Sequence, residues 1–114
     1  MADTIFAKII RGEIPAQKVF EDDAMIAIRD VAPAAPTHIL VLPKKPLVNI
    51  ADADESDALL LGSMLLRAAA IARDEGFSES GYRLVFNINK DGGQSVPHLH
   101  LHVLAGRSLG WPPG

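Results

Sequence analysis

The chain contains no cysteine. That excludes disulfides, a thiolate nucleophile and cysteine-liganded zinc, and it fits a reducing compartment. Long apolar runs are lacking too. The longest uncharged stretch of the apolar middle, Ala58 to Leu66, contains Gly62 and Ser63 and falls well short of the ~20 residues that span a bilayer. The N-terminal stretch Met1-Ala2-Asp3-Thr4-Ile5-Phe6 has neither the basic start nor the apolar segment of a secretory signal, so a soluble, cytoplasmic protein is expected. Positive charge is not in excess. Eleven Lys and Arg against 14 Asp and Glu give a formal net charge of -3, with a pI near 5.7. Such a chain has no global attraction for nucleic acid or an anionic membrane, and any nucleotide recognition has to be local. Repeats, low-complexity tracts and linkers are absent.

What remains is one domain over residues 1–114. At 48% apolar and 22% charged, the composition is that of a globular chain and excludes intrinsic disorder. Asp3 or Thr4 can cap a short helix whose Ile5, Phe6, Ile9 and Ile10 share a face, ended by Gly12 and Pro15. Val19–Glu21 and Met25–Ile28 read as strands around the turn at Asp22-Asp23, and the β-branched, apolar run Thr37–Leu42 reads as a central strand stopped by Pro43. Apolar positions recur at helical spacing from Asp54 to Glu75, acidic at the start, basic further on, with Gly76 as a C-cap. Tyr82–Asn87 and His98–Leu104 read as further strands, the second with strict alternation. The sum is an α+β fold: about five strands, antiparallel, with one long helix packed on the sheet.

Three of the four histidines stand at 98, 100 and 102, with Leu99, Leu101 and Val103 between and after them. On a strand, alternate side chains share a face, so the imidazoles line one side and the aliphatics bury on the other. Two chemistries compete for this pattern. His-x-His can offer two ligands to zinc, with His38 as a third, although rings at 98 and 102 lie about 13 Å apart along an extended strand and cannot easily share an ion. Alternatively a neutral imidazole attacks phosphorus, neighbouring donors neutralise the phosphate oxygens, and a glycine loop brings backbone N–H groups close. The loop Gly92-Gly93-Gln94-Ser95 stands immediately before the histidines, where that chemistry needs it.

His98-Leu99-His100-Leu101-His102-Val103-Leu104 resembles the histidine-triad signature. The stretch Asp91–His98, the tail Trp111-Pro112-Pro113-Gly114, the start Asp3–Ile10, Phe20–Asp23 and Ala35–His38 are similar to the Hint branch of that superfamily. The resemblance covers essentially the whole chain. It implies a five-stranded antiparallel sheet with one long and one short helix, and a homodimer with a continuous ten-stranded sheet. It implies a purine nucleotide-binding hydrolase that cleaves the P–N bond of nucleoside 5'-phosphoramidates (AMP or GMP conjugates), and possibly aminoacyl-adenylates, with no cofactor, no metal, no nucleic acid and no membrane partner.

By the same resemblance His100 is the nucleophile, His102 contacts the phosphate, His98 orients the nucleophile largely through its carbonyl, and His38 is the distal histidine. Ser95 and Asn87 serve the phosphate and leaving group. Gly93, Ser95 and Val96 belong to the loop around the phosphate. Asp30 holds the ribose, and Ile5, Phe6, Ile9, Ile14 and Ile28 form the purine slot. Trp111 tunes the leaving group. Read without the resemblance, Asp30 and Ser95 are turn residues, Ile5, Phe6 and Ile9 are core, Asn87 is a strand-end cap, His38 is a core histidine and Trp111 packs the tail. The chain departs from the Hint pattern at Ala105, Gly110 and Arg29, which bears on substrate preference. Gln in place of His102, loss of the Trp-Pro-Pro-Gly ending, or an added zinc module would mark other branches, and none occurs here. A nucleotide-responsive binding protein with incidental turnover would carry the same motif, and a turnover assay separates the two.

Overall fold

The computed structural model of the chain describes residues 3–114; Met1 and Ala2, the start of the N-terminal stretch read above, lie outside the described residues. A short helix, α1 (Ile5–Ile10), is followed by strands β1 (Lys18–Glu21), β2 (Met25–Arg29) and β3 (Thr37–Pro43), the long helix α2 (Ala58–Glu75), and strands β4 (Tyr82–Phe86) and β5 (Leu101–Ala105). The strands form one antiparallel sheet in the order β1-β2-β3-β5-β4. This is the expected α+β architecture. No helix among the described residues is long and apolar enough to cross a membrane.

Local chemistry sets the boundaries. The Thr4 side chain accepts from Ala7 N at 3.0 Å and caps α1. At the other end of α2, Gly76 takes φ +85°, a left-handed C-cap that costs glycine little. The expected helix start at Asp54 is corrected to Ala58. Asp54 and Asp57 make a reciprocal capping box around a tighter turn, Glu55–Asp57, so the acidic cluster closes a 3-10 turn before the α-helix begins.

Strand parity decides which side chain meets which layer. Met25, Ala27, Ile39, Val41, Leu101, Val103 and Ala105 face α2 and pack with Met64, Ala68, Ile71 and Phe77. On the opposite face Ile26, Ile28, Leu40 and Leu42 pack under Phe6 and Ile9 of α1. The short α1 covers only part of that face. The remainder is where His38, His102 and the outward residues of β4 come together.

Candidate active site

The expected strand from His98 is corrected: β5 begins at Leu101, and His98 and His100 precede it. Pro97 has no N–H for a ladder, and the Leu99 N–H donates to the Leu47 carbonyl at 2.7 Å instead of to a neighbouring strand. The alternation still holds, since Leu99 packs with Leu101 and Val103 in the core under α2, whereas the His98 and His100 rings meet Phe6 on the opposite face. His102 lies opposite Leu40 of β3 and His38 opposite Leu104 of β5, which makes the two histidines diagonal neighbours on one face.

Hydrogen bonds fix the tautomers. The Nδ1 of His100 is 2.8 Å from the His98 carbonyl. A carbonyl only accepts, so Nδ1 carries the proton and Nε2 keeps its lone pair. The His98 ring donates from Nε2 to the Pro43 carbonyl at 2.9 Å, which ties the histidine run to the end of β3. The Ala34 N–H donates to His38 Nδ1 at 3.0 Å, so the proton of neutral His38 sits on Nε2. That nitrogen is 2.8 Å from His102 Nδ1. His102 therefore accepts at Nδ1 and presents an Nε2–H donor. The His100 ring makes edge contacts with Phe6 at 5.0 Å and with His102 at 4.9 Å between centroids.

Burial pushes the His102 pKa down to about 4; a charged His102 would also meet the neighbouring His100 and His38 rings, and Asp30 opposes the shift. Burial also lowers His38, against the pull of Asp30, and lowers His98, against its bond to Pro43. The site around His100 is thus lined by neutral rings that act as dipolar donors and acceptors at pH 7.

Ligand atoms of Asp30, His38 and His102 lie within 4.8 Å of one another, with Asp30 Oδ2 3.5 Å from His38 Nε2. The proton pattern does not fit an ion. A metal on His38 Nε2 would drive the ring proton to Nδ1, where it would face the Ala34 N–H.

The other expected residues divide. Asp30 accepts from Ala32 N at 2.8 Å and lies beside His38, so it is both the turn residue and a carboxylate at the site. Asn87 donates to the Gly92 carbonyl at 2.6 Å and lines a cavity of about 460 Å³ with His38, His102, Arg83, Val85 and Leu104. Pro113 and Gly114 of the same chain also border this cavity, while Trp111 is 84% exposed. Ser95 is exposed and shares a second cavity of about 370 Å³ with Ile5, Val96 and Thr4.

One expectation needs correction. Gly93 is not a free loop donor, because its N–H donates to the Lys90 carbonyl at 3.0 Å, and the Gln94 N–H donates to Asn89 at 3.1 Å. The turn takes up both amides, and among the described residues no hydrogen bond takes up those of Ser95 and Val96. The residues expected to form a purine slot differ in exposure. Phe6, Ile9 and Ile28 are buried in the second core cluster with Ile14 against it, which leaves half-exposed Ile5 as the open member. Arg29 points to the α2 side and pairs with Glu75 at 2.7 Å, away from the histidines. Reasoning from sequence missed Arg83, whose guanidinium holds the carbonyls of Leu109 and Gly110. It also missed a cluster of three amide side chains, Asn49, Asn89 and Gln94. Only the position of Gln94 beside the two glycines could have signalled that cluster.

Comparison with known proteins gives the family and the fold. A family model described as HIT domain matches residues 11–109. An uncharacterized HIT-like protein of Synechococcus elongatus is 59% identical over 112 residues, covering 98% of this chain and 97% of that one. The crystal structure of a HIT family hydrolase from Legionella pneumophila is 54% identical with a TM-score of 0.96, covering 98% of this chain and all of that one (100%). A zinc-bound histidine triad family protein from Mycobacterium smegmatis is 31% identical with a TM-score of 0.79, covering 92% of this chain and 76% of that chain.

Proposed function

The chain belongs to the HIT domain family, and on that footing we propose that it is a cytoplasmic purine nucleoside phosphoramidase of the Hint branch, hydrolysing P–N bonds in AMP- or GMP-amine conjugates. The observation that carries this reading is the His100 ring. Its Nδ1–H is held by the His98 carbonyl, which leaves Nε2 with an available lone pair. A nucleophile prepared this way needs no general base before attack.

In the proposed cycle, His100 Nε2 attacks the α-phosphorus and the P–N bond to the amine breaks, its electron pair leaving with nitrogen. The amine takes up a proton from solvent water, relayed by Ser95 at the rim, and the water that later hydrolyses the adduct returns a proton to solvent. Charge on the phosphate oxygens meets the His102 Nε2–H and the amides of Ser95 and Val96. Water then attacks the nucleotidyl-imidazole, releasing the nucleotide and returning His100. Asp30 receives the ribose hydroxyls, and Ile5 with the rim of the α1 cluster receives the base. Asn87 stands at the leaving-group side. Every group in this cycle is a side chain or amide of the protein, and no cofactor or metal takes part.

We assign the functional unit to a homodimer joined through β4. The opposite edge, β1, is protected by a register irregularity between Lys18 and Phe20, whereas β4 is half-exposed along its whole length and has no such guard.

The test is rapid quenching at alkaline pH after mixing with an AMP-amine conjugate, then peptide mass analysis. The adduct is expected on His100, and His100→Ala is expected to lose several orders of magnitude in turnover while keeping AMP binding. An adduct elsewhere, or near-normal turnover by His100→Ala, overturns the assignment.

A further inference from the structure

The segment 47–49 leaves β3 and runs beside the loop and the histidine run on its way to α2. Three successive residues of it each take hold of that neighbour. The Leu47 carbonyl accepts the Leu99 N–H at 2.7 Å. The Val48 carbonyl accepts from Gln94 Nε2 at 2.7 Å. The Asn49 side chain donates to Gln94 Oε1 and to Asn89 Oδ1, both at 2.9 Å.

Each contact reaches a group with a stated position in the site. The Leu99 N–H and the His98 carbonyl belong to one planar peptide unit. Leu47 holds one side of that unit, and His100 Nδ1 is held by the other at 2.8 Å. Fixing the N–H end therefore fixes the direction of the carbonyl that orients the His100 ring. Gln94 uses its remaining Nε2–H on the Val96 carbonyl at 3.0 Å, and its Oε1 also accepts the Asn89 N–H at 2.9 Å. Its side chain thus clamps both ends of the turn whose next amides are Ser95 and Val96. Asn89 sits at φ +60°, a conformation that asparagine tolerates best among non-glycine residues, and both its backbone and side chain are tied to this cluster.

The segment is itself anchored. Leu47 is buried in the main core, Asn49 is 4% exposed, and the Val48 N–H donates to Asp52 at 3.0 Å. From these contacts we infer that segment 47–49 is a splint that aligns the nucleophile and the phosphate loop with one another, with Asn49 and Gln94 as its positioning residues. The inference rests on the phosphoramidase reading and adds residues to which that reading gives no role. That reading gives Asn49 and Gln94 no contact with phosphate or leaving group. They act through the amides of Ser95 and Val96, while the splint's Leu47 carbonyl acts through His98 on His100.

The experiment uses the full chain with an AMP-amine conjugate and its two phosphorothioate diastereomers. Gln94→Glu keeps shape and acceptors but removes the donors to Val48 and Val96; Asn49→Ala removes the donors to Gln94 and Asn89. Misplacement of a reacting group by about 1 Å costs on the order of 10²-fold, so kcat is expected to fall by roughly that factor while KM and AMP affinity stay near wild type. The wild type is expected to prefer one diastereomer, because loop amides and His102 face different oxygens, and the variants should lose that preference. Simple loss of stability would not move the diastereomer ratio. Wild-type kcat and an unchanged ratio in folded variants overturn the splint. If Asn49→Ala fails to fold, the isosteric Gln94→Glu decides alone. A wild-type chain that does not hydrolyse the conjugate at all overturns the phosphoramidase reading, and the splint's role falls with it.

Discussion

Acid should destabilise this chain through His102 well above the range where carboxylates titrate. The unfolded imidazole has a pKa near 6.5, and the folded one is pushed down to about 4. Between those values the unfolded state binds a proton that the native state refuses, so stability falls as pH falls through that window and is complete above it. The cause is structural. His102 Nδ1 accepts the His38 proton at 2.8 Å, and protonating it would set two N–H groups against each other in a half-buried site. At about 1.4 kcal/mol per pKa unit, the contribution lost by pH ~5 is about 2 kcal/mol, and about 3 kcal/mol is the limit at lower pH. The assay is urea unfolding of wild type and His102→Gln between about pH 7.5 and pH 5, followed by far-ultraviolet circular dichroism, since Trp111 at 84% exposure reports little of the core. Carboxylates such as Asp57, held low by its hydrogen bond with Lys45, act equally in both proteins and cancel. The wild type should lose about 2 kcal/mol more than His102→Gln across this range. Equal losses would show that His102 takes up its proton in the folded chain, and the neutral donor role would fall.

Two further outcomes follow from close contacts and from the tail. A Cβ at Gly92 would lie 2.4 Å from the Ile88 carbonyl oxygen, and backbone cannot step aside easily. Gly92→Ala should therefore cost about 1–3 kcal/mol in urea unfolding and reduce turnover by moving the loop; wild-type stability and turnover would remove the loop from the argument. Deleting residues 111–114 takes Pro113 and Gly114 from the cavity beside His38 and His102. A turnover panel over several amines should change its ranking more than AMP binding changes, and an unchanged ranking would leave the tail a packing role.

Much of this was legible because period and punctuation agree. Val and Ile alternation, Gly76 after the last helical residue, and Thr4 before Ile5 each name a boundary locally. The histidines at 98, 100 and 102 announce chemistry by spacing alone. The misreadings share a cause, which is that partners distant in sequence decide. Leu99 leaves the sheet ladder because the Leu47 carbonyl is waiting for it. Phe6, Ile9 and Ile28 carry the same apolar pattern whether they line a ligand slot or fill a core, and they pack together in the cluster under α1. Asp54 and Asp57 look like helix acids until their side chains close a separate turn. Asn49, Asn89 and Gln94 have no spacing signature at all, since amide side chains can bond almost any neighbour.

The two-sided sheet makes chain length the fragile quantity in β3 and β5. Ile39 and Val41 belong to one layer and His38 and Leu40 to the other, with Val103 and His102 dividing in the same way. A swap of one aliphatic for another disturbs a local fit. Loss or gain of one residue inside either strand rotates everything beyond it by half a turn, sending imidazoles into the oily layer under α2 and aliphatics out to the reacting surface. Heritable variation in length is therefore tolerable only in the connections, and those strands can drift in identity but not in count.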